Sequence, residues 1–367
     1  VSRRTTITAQ QQAGRKALAV LPIHYPKEIL TAMGILAVEM WGPPGPARGP
    51  GAGRIQPYVC AVVRNALAFA ASGGADRVDG MLFPHTCDSI QGLATVAPDL
   101  GGWDKPVFRF IHAHGDDRPS ARRFVANEMR ALISGLEQFT GAALEAEDLR
   151  TAIDLHRRID ALRGGLLRQR SRIEMDDRGL YELLRRGEHL WPDDHLRELD
   201  EAAAAVQPKP VQRGVPLLVT GIVPEPMTIL DAINEAGGWI AADDYAAIGR
   251  RINDHQPAPS DDPIDALVEL YFSAPPCSTR QSHQVARADH LERLFDLGGA
   301  AGVIIHTVKF CEPELFDLPV IRTRFEARGV PVLTIESELE ADLSAQTVTR
   351  IEAFVEMLDS RAVGRSA

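Results

Sequence analysis

"VDGMLFPHTCDSIQGL" (78–93) changes its pattern halfway. From Val78 to Pro84 the residues are almost continuously apolar, which suits a strand buried on both faces of a parallel sheet. Beyond Cys87 a helical pattern takes over, opened by Asp88, an acid suited to the positive end of a helix. A strand that runs into a helix with no hairpin signal is the repeating unit of an α/β fold. The cysteine stands at the junction.

The same alternation recurs on either side. "KALAVLP" (16–22) predicts a strand. "PKEILTAMGILAVEM" (26–40), with an early Pro and apolar residues at helical spacing, predicts a helix. "GPPGPARGPGAGRIQP" (42–57) is a Gly/Pro loop too long for a simple connector, and could shape a distinct substrate entrance. "YVCAVVRNALAFAAS" (58–72) reads as a helix and "KPVFRFIH" (105–112) as a strand. From about Pro119 to Val206 long amphipathic, charged helices take over, and "QPKPVQRGVP" (207–216) breaks that pattern as a linker. Alternation then resumes with strands at 216–221, 239–244, 302–308 and 330–336, a loop at 255–263 and a closing helix at 345–358. The pattern is that of parallel sheets with helices on both faces, and the two halves share one plan.

The net charge of −10 excludes an electrostatic nucleic-acid binder, because no basic stripe offsets it. No run of about 18 apolar residues is present, so no membrane span is expected. The polar start, "VSRRTTITAQQQAGRK", has no apolar signal region, and the expected compartment is reducing cytoplasm.

Four cysteines, Cys60, Cys87, Cys277 and Cys311, form no C-x-x-C pair and are not needed as disulfide staples. Free buried thiols are one reading; ligands or nucleophiles are the other. Cys87 and Cys311 each follow a strand and precede a helix, and Cys60 falls in the first turn of one. In an open parallel sheet ligands bind beyond the carboxyl ends of the strands. A helix N-terminus there favours thiolate, the form that binds soft metals and iron–sulfur clusters. Cys277, in the loop "SAPPCSTR", reads as a spare thiol or a residue supporting the ligands rather than as a ligand itself.

These stretches together resemble the iron–sulfur family of 2-hydroxyacyl-CoA dehydratases and benzoyl-CoA reductases. The likeness is carried by "HYPKEILTAMGILAVEMWG", "YVCAVVRNAL", "PHTCDSIQGL" and "LEQFTGAALEAEDLRTAIDLHRRIDALR". It continues through "VTGIVPE", "AADDYAAIGRR", "HTVKFCEPELFDLPVIRTRFEARGVPVLTIESE" and "TRIEAFVEML", so it covers nearly the whole length. It implies an α/β chain of two doubly wound, flavodoxin/Rossmann-like units: an N-terminal one at 1–118, a helical segment at 119–210 and a C-terminal one at 211–367. It also implies a [4Fe–4S] cluster held by Cys60, Cys87 and Cys311, with the fourth iron position open. The implied chemistry is one-electron, ketyl-type dehydration or reduction of a CoA thioester. The implied partners are an acyl-CoA substrate, a related second subunit or a second copy, and a separate iron–sulfur ATPase activator. The chain has no G-x-x-x-x-G-K-[ST] loop of its own. A double-cubane-type reductase of small molecules and a non-catalytic cluster-binding scaffold are the alternatives.

His85 and His306, near the cysteine-bearing strand ends, are candidates for proton donation or for hydrogen bonding to cluster or substrate. His112 and His114 read as structural, and Glu225 as a turn residue. Asp243 and Asp244 read as caps closing their strand. Arg54 and Arg64, flanking Cys60, are candidates for the phosphates of coenzyme A.

Overall fold

A computed structural model describes residues 2–43, 45, 53–99, 103–211, 213–280, 282–339 and 342–366. Much of the Gly/Pro loop expected at 42–57, namely 44 and 46–52, lies outside them, and with it the entrance it could shape.

The first half runs α1 (Arg3–Gln12), β1 (Lys16–Val20), α2 (Lys27–Ala32), β2 (Ile35–Glu39), α3 (Ala61–Ala71), β3 (Gly80–His85), α4 (Asp88–Asp99) and β4 (Val107–Ile111). Four helices follow: α5 (Pro119–Thr140), α6 (Ala146–Arg168), α7 (Asp177–Arg185) and α8 (Pro192–Ala204). The second half runs β5 (Val215–Gly221), α9 (Thr228–Glu235), β6 (Gly238–Tyr245), α10 (Pro263–Ser273), α11 (Gln284–Gly298), β7 (Gly302–Val308), α12 (Glu312–Ala327), β8 (Val332–Ser337) and α13 (Ala345–Ser366). Each half forms a four-stranded sheet, in the orders β2-β1-β3-β4 and β6-β5-β7-β8. All pairings are parallel. The two halves therefore repeat one doubly wound topology, with the switch point beside β1 in the first and β5 in the second.

The sequence expectation fails at 26–40. This stretch is α2 followed by β2, not one helix. Met33 caps the helix and Gly34, at φ +65°, turns the chain so that Ile35–Glu39 pairs with Lys16–Val20. A short apolar run buried on both faces has no period that separates strand from helix, and "ILAVE" is such a run.

Burial follows position in the sheet. The interior strand β7 is buried at every residue, whereas edge strand β8 alternates. One core lies between the sheets and joins Ala17, Ala19, Met81 and Phe83 of the first to Leu217, Val219 and Ile304 of the second. A second core covers the other face of the first sheet. It contains α5 and α6 residues but also Ile264, Leu267 and Val268 of α10, so this helix of the second half crosses back to pack on the first.

Gly221 ends β5 where the strands come closest: a Cβ there would stand 2.1 Å from the His306 carbonyl oxygen and 2.9 Å from the Tyr245 ring. Backbone cannot yield as a side chain tip can. Gly221→Ala is expected to destabilise the chain by about 2 kcal/mol or more through overpacking, read as a lower urea midpoint at unchanged slope.

Candidate metal centre

Three loops deliver cysteines to helix N-termini. Cys60 is the residue before α3, and its backbone carbonyl accepts from the N–H groups of Val63 and Arg64. Cys87 stands between β3 and α4, and its carbonyl accepts from Gln91 N–H. Cys311 precedes α12, after Phe310 at φ +63°, and its carbonyl accepts from Leu315 N–H. Each thiol thus stands at the positive end of a helix, whose nearby N–H groups pull its pKa down against the stronger upward push of burial.

The structure brings these three together. Cys60 acts electrostatically on Cys87, and both act on Cys311. All are free thiols; Cys60 and Cys311 are 8% exposed in the central core, and Cys87 packs against it. Burial pushes all three thiols up, Cys87 to about 12, and the neighbouring sulfurs push Cys87 and Cys311 further. A thiolate here needs a positive centre to share. Among the described residues no three His, Cys, Asp or Glu side chains close on a single metal ion. The sulfurs are near enough to sense one another but not gathered around one point.

Cys277 lies elsewhere. It is fully buried, with Sγ 3.1 Å from the Thr279 hydroxyl and 3.6 Å from a guanidinium nitrogen of Arg250. Burial pushes this thiol up, but Arg250, Arg287 and Thr279 outweigh it and the net direction is down. The surrounding charge network escaped the sequence reading. Fully buried Arg250 and Arg287 both bind Asp244, and Arg250 also meets Glu314 at 2.6 Å. Glu314 sits three residues after Cys311, so the network braces the start of α12. Asp244 is therefore not a cap. Asp243 does cap: its Oδ1 accepts from the N–H groups of Tyr245 (2.9 Å) and Gly249 (3.0 Å). No spacing in the sequence could reveal the network, because its members lie on β6, on the short helical turn at 249–251, and on α11 and α12.

Other candidates resolve individually. His306 is 0% exposed, with Nδ1 3.0 Å from the Tyr245 hydroxyl and Nε2 3.0 Å from Ser337 Oγ. Burial lowers it to about 4. With both nitrogens engaged in the core, it is a structural residue and not an accessible proton donor. His85, the last residue of β3, keeps a buried Nε2 with no partner, two residues from Cys87. Glu225 pairs with Arg185. Arg64 pairs with Glu338 at 3.1 Å, which Lys309 also holds at 2.6 Å, a tie between the halves beside Cys60 and Cys311. Arg54 is exposed on the loop before Cys60. A second tie is bidentate: Arg251 grips buried Glu39 at 2.6 and 2.9 Å. No helix among the described residues is long and apolar enough to cross a membrane.

Comparison with known proteins gives one consistent answer. The family model described as 2-hydroxyglutaryl-CoA dehydratase, D-component, matches residues 22–358. Lactoyl-CoA dehydratase subunit beta of Anaerotignum propionicum is 25% identical over 95% of this chain and 93% of its own. A benzoyl-CoA reductase subunit of Thauera aromatica is 28% identical over 88% and 85%. (R)-2-hydroxyglutaryl-CoA dehydratase subunit beta of Acidaminococcus fermentans is 23% identical over 97% and 96%.

Proposed function

The chain belongs to the 2-hydroxyglutaryl-CoA dehydratase D-component family, and from that premise we propose that it carries a [4Fe–4S] cluster on Cys60, Cys87 and Cys311. In this reading it is one subunit of an enzyme that dehydrates or reduces a CoA thioester. The observation that carries the proposal is the approach of three thiols, two buried and one half-buried, from three helix N-termini.

The donor set fits the group. It offers sulfur only, in an apolar surround, with each cysteine at the start of a helix, and soft thiolates of this kind select iron–sulfur clusters. When bound, such a cluster supplies single low-potential electrons and, with three protein ligands, an iron position free to polarise a thioester oxygen. The chain's own residues hold charge on the sulfurs and exclude water. Coenzyme A needs local cations on so acidic a protein. A cleft of about 830 Å³ lined by Arg3, Arg4, Arg77, Trp41 and Phe69 suits it in size and character.

A related subunit or a second copy completes the assembly in this proposal, and a separate iron–sulfur ATPase delivers the electron. Tyr58 is 64% exposed two residues before Cys60, and Phe316 is 71% exposed five residues after Cys311. Large apolar side chains beside a dry centre are what a partner would cover. Protein purified without oxygen is expected to be brown, with about four irons and four sulfides per chain. Colourless, iron-free protein from that preparation would refute the reading, and about twice the iron would favour a double cubane.

A further inference from the structure

We infer that a recess formed by His24, His112, Tyr271 and Arg280 binds an oxyanion, a carboxylate or a phosphate group of the substrate. Its link to a CoA substrate rests on the function proposed above; the anion site itself rests on the geometry alone.

The first observation is a buried charge with no counter-charge. Arg280 is 8% exposed. Its NH1 and NH2 donate to the carbonyls of Tyr271, Ala274 and Pro275, and its guanidinium lies 5.4 Å from the Tyr271 ring centre. Its Nε is buried with no partner. Among the described residues it has no carboxylate in ion-pair range, a state it shares with buried Arg170, whereas fully buried Arg250 and Arg287 and half-buried Arg251 each have one. An unpaired buried cation is costly and is kept where something supplies the missing charge.

The second observation is a set of unpartnered imidazoles. Nε2 of His24 and Nε2 of His112 are both buried without a hydrogen bond. The two rings meet edge to face at 6.1 Å. Burial, aided by Arg280, holds both well below the ordinary histidine range, so both are neutral. Nδ1 of His112 lies 3.1 Å from the Tyr271 hydroxyl, the shorter of that hydroxyl's two contacts. If the hydroxyl donates there, Nε2 carries the hydrogen and is an unused donor. Native structures rarely leave two such groups and a guanidinium nitrogen unsatisfied in one place.

The third is position. His24 lies just beyond β1, His85 ends β3 and His112 follows β4, three consecutive neighbours in the sheet. The recess therefore sits at the carboxyl edge where doubly wound sheets bind ligands. Ile23 and His24 have φ of +74° and +55°. Two adjacent non-glycine residues in the left-handed region are strained, and such strain concentrates at functional sites. A cavity of about 120 Å³ opens among His24, Arg251, Tyr271 and Arg280, with the carboxylates of Glu28 and of Asp160, the latter paired with Lys27, also on its wall; His112 does not line it but stacks on the Tyr271 ring. That is room for a small oxyanion group and not for a ring system.

The test uses the full chain with ¹⁵N-labelled histidine, titrated separately with acetate, glutarate and inorganic phosphate at constant chloride. One probe or more is expected to shift the His24 and His112 ring signals and to raise the thermal midpoint with concentration. His24→Leu removes the buried Nε2 that has no partner, together with the ring's edge contact to His112. It should match the wild type in circular dichroism and midpoint without anion, and weaken anion binding at least tenfold. Arg280→Gln should weaken it further; if that variant does not fold, His24→Leu and the ring shifts decide alone. Response to carboxylates assigns the site to the acyl end of the substrate, and response to phosphate alone to the coenzyme end. Silence to all three probes, or unchanged affinity in folded His24→Leu, overturns the inference. Anion binding by a chain that never takes up iron would leave this site standing and remove the proposed function.

Discussion

Cys311→Ser should strip the anaerobically purified protein of its iron, from about four atoms per chain to fewer than one, while Cys277→Ser keeps its full complement. The contrast comes from environment, since both thiols are buried. Cys311 stands at the start of α12, close enough to Cys60 and Cys87 to feel their charge. Cys277 is enclosed by Arg250, Ser278 and Thr279 and already has polar partners. Serine is a hard oxygen donor whose alkoxide is far less accessible than a thiolate, so it is a poor ligand for a soft cluster. Cys60→Ser and Cys87→Ser should behave as Cys311→Ser does. Iron and sulfide analysis with an electron paramagnetic resonance spectrum reads all four variants, and retention of a normal signal in Cys311→Ser would refute the ligand assignment.

Asp244→Ala is expected to be the most damaging single change to stability outside the metal centre, at about 3 to 5 kcal/mol. It would leave Arg250 with only Glu314, and Arg287 with only distant Asp317 at 3.9 Å, in sites with no solvent exposure. The thermal midpoint should fall by on the order of 10 °C. Asp243→Ala, one residue away, loses a turn cap, a bond from Tyr181 and a longer-range attraction to buried Arg170 but breaks no direct ion pair, so it should cost less. The pH dependence follows in sign. Burial alone would raise Asp244, but Arg250 and Arg287 overcome it and hold the carboxyl well below its usual range. A carboxyl depressed on folding stabilises fully above its unfolded value, near 3.9, and loses that contribution only as pH falls through the lower folded value. Wild-type protein should therefore keep this term through mildly acidic conditions, and Asp244→Asn should lose it at every pH above about 4. Urea titrations at several pH values would separate the two.

Legibility in the sequence tracked the range of the interactions concerned. β3 and β7 were readable because a strand buried on both faces is a local apolar run, and Cys87 and Cys311 were readable because they sit at the ends of such runs. β2 was not, since its pairing with β1 and not its own pattern makes it a strand. α10 crosses to the first sheet through contacts that no stretch of sequence displays. Asp244 looked like a cap because its partners, Arg250 and Arg287, lie 6 and 43 residues on. His24 and Arg280 carried no signal either; a histidine after a strand and an arginine in a loop are ordinary until the fold leaves both unsatisfied.

The sulfurs also impose an order of events on synthesis. The third lies 311 − 87 = 224 residues after the second, so at ribosomal speeds of about 5 to 20 residues per second the first two wait roughly 11 to 45 s for it. In the proposed function the first two ligands make an incomplete site during that interval, open to oxidation. Cluster insertion would then wait until Cys311 has emerged, and factors that deliver inorganic cargo would recognise a chain in which both halves are present.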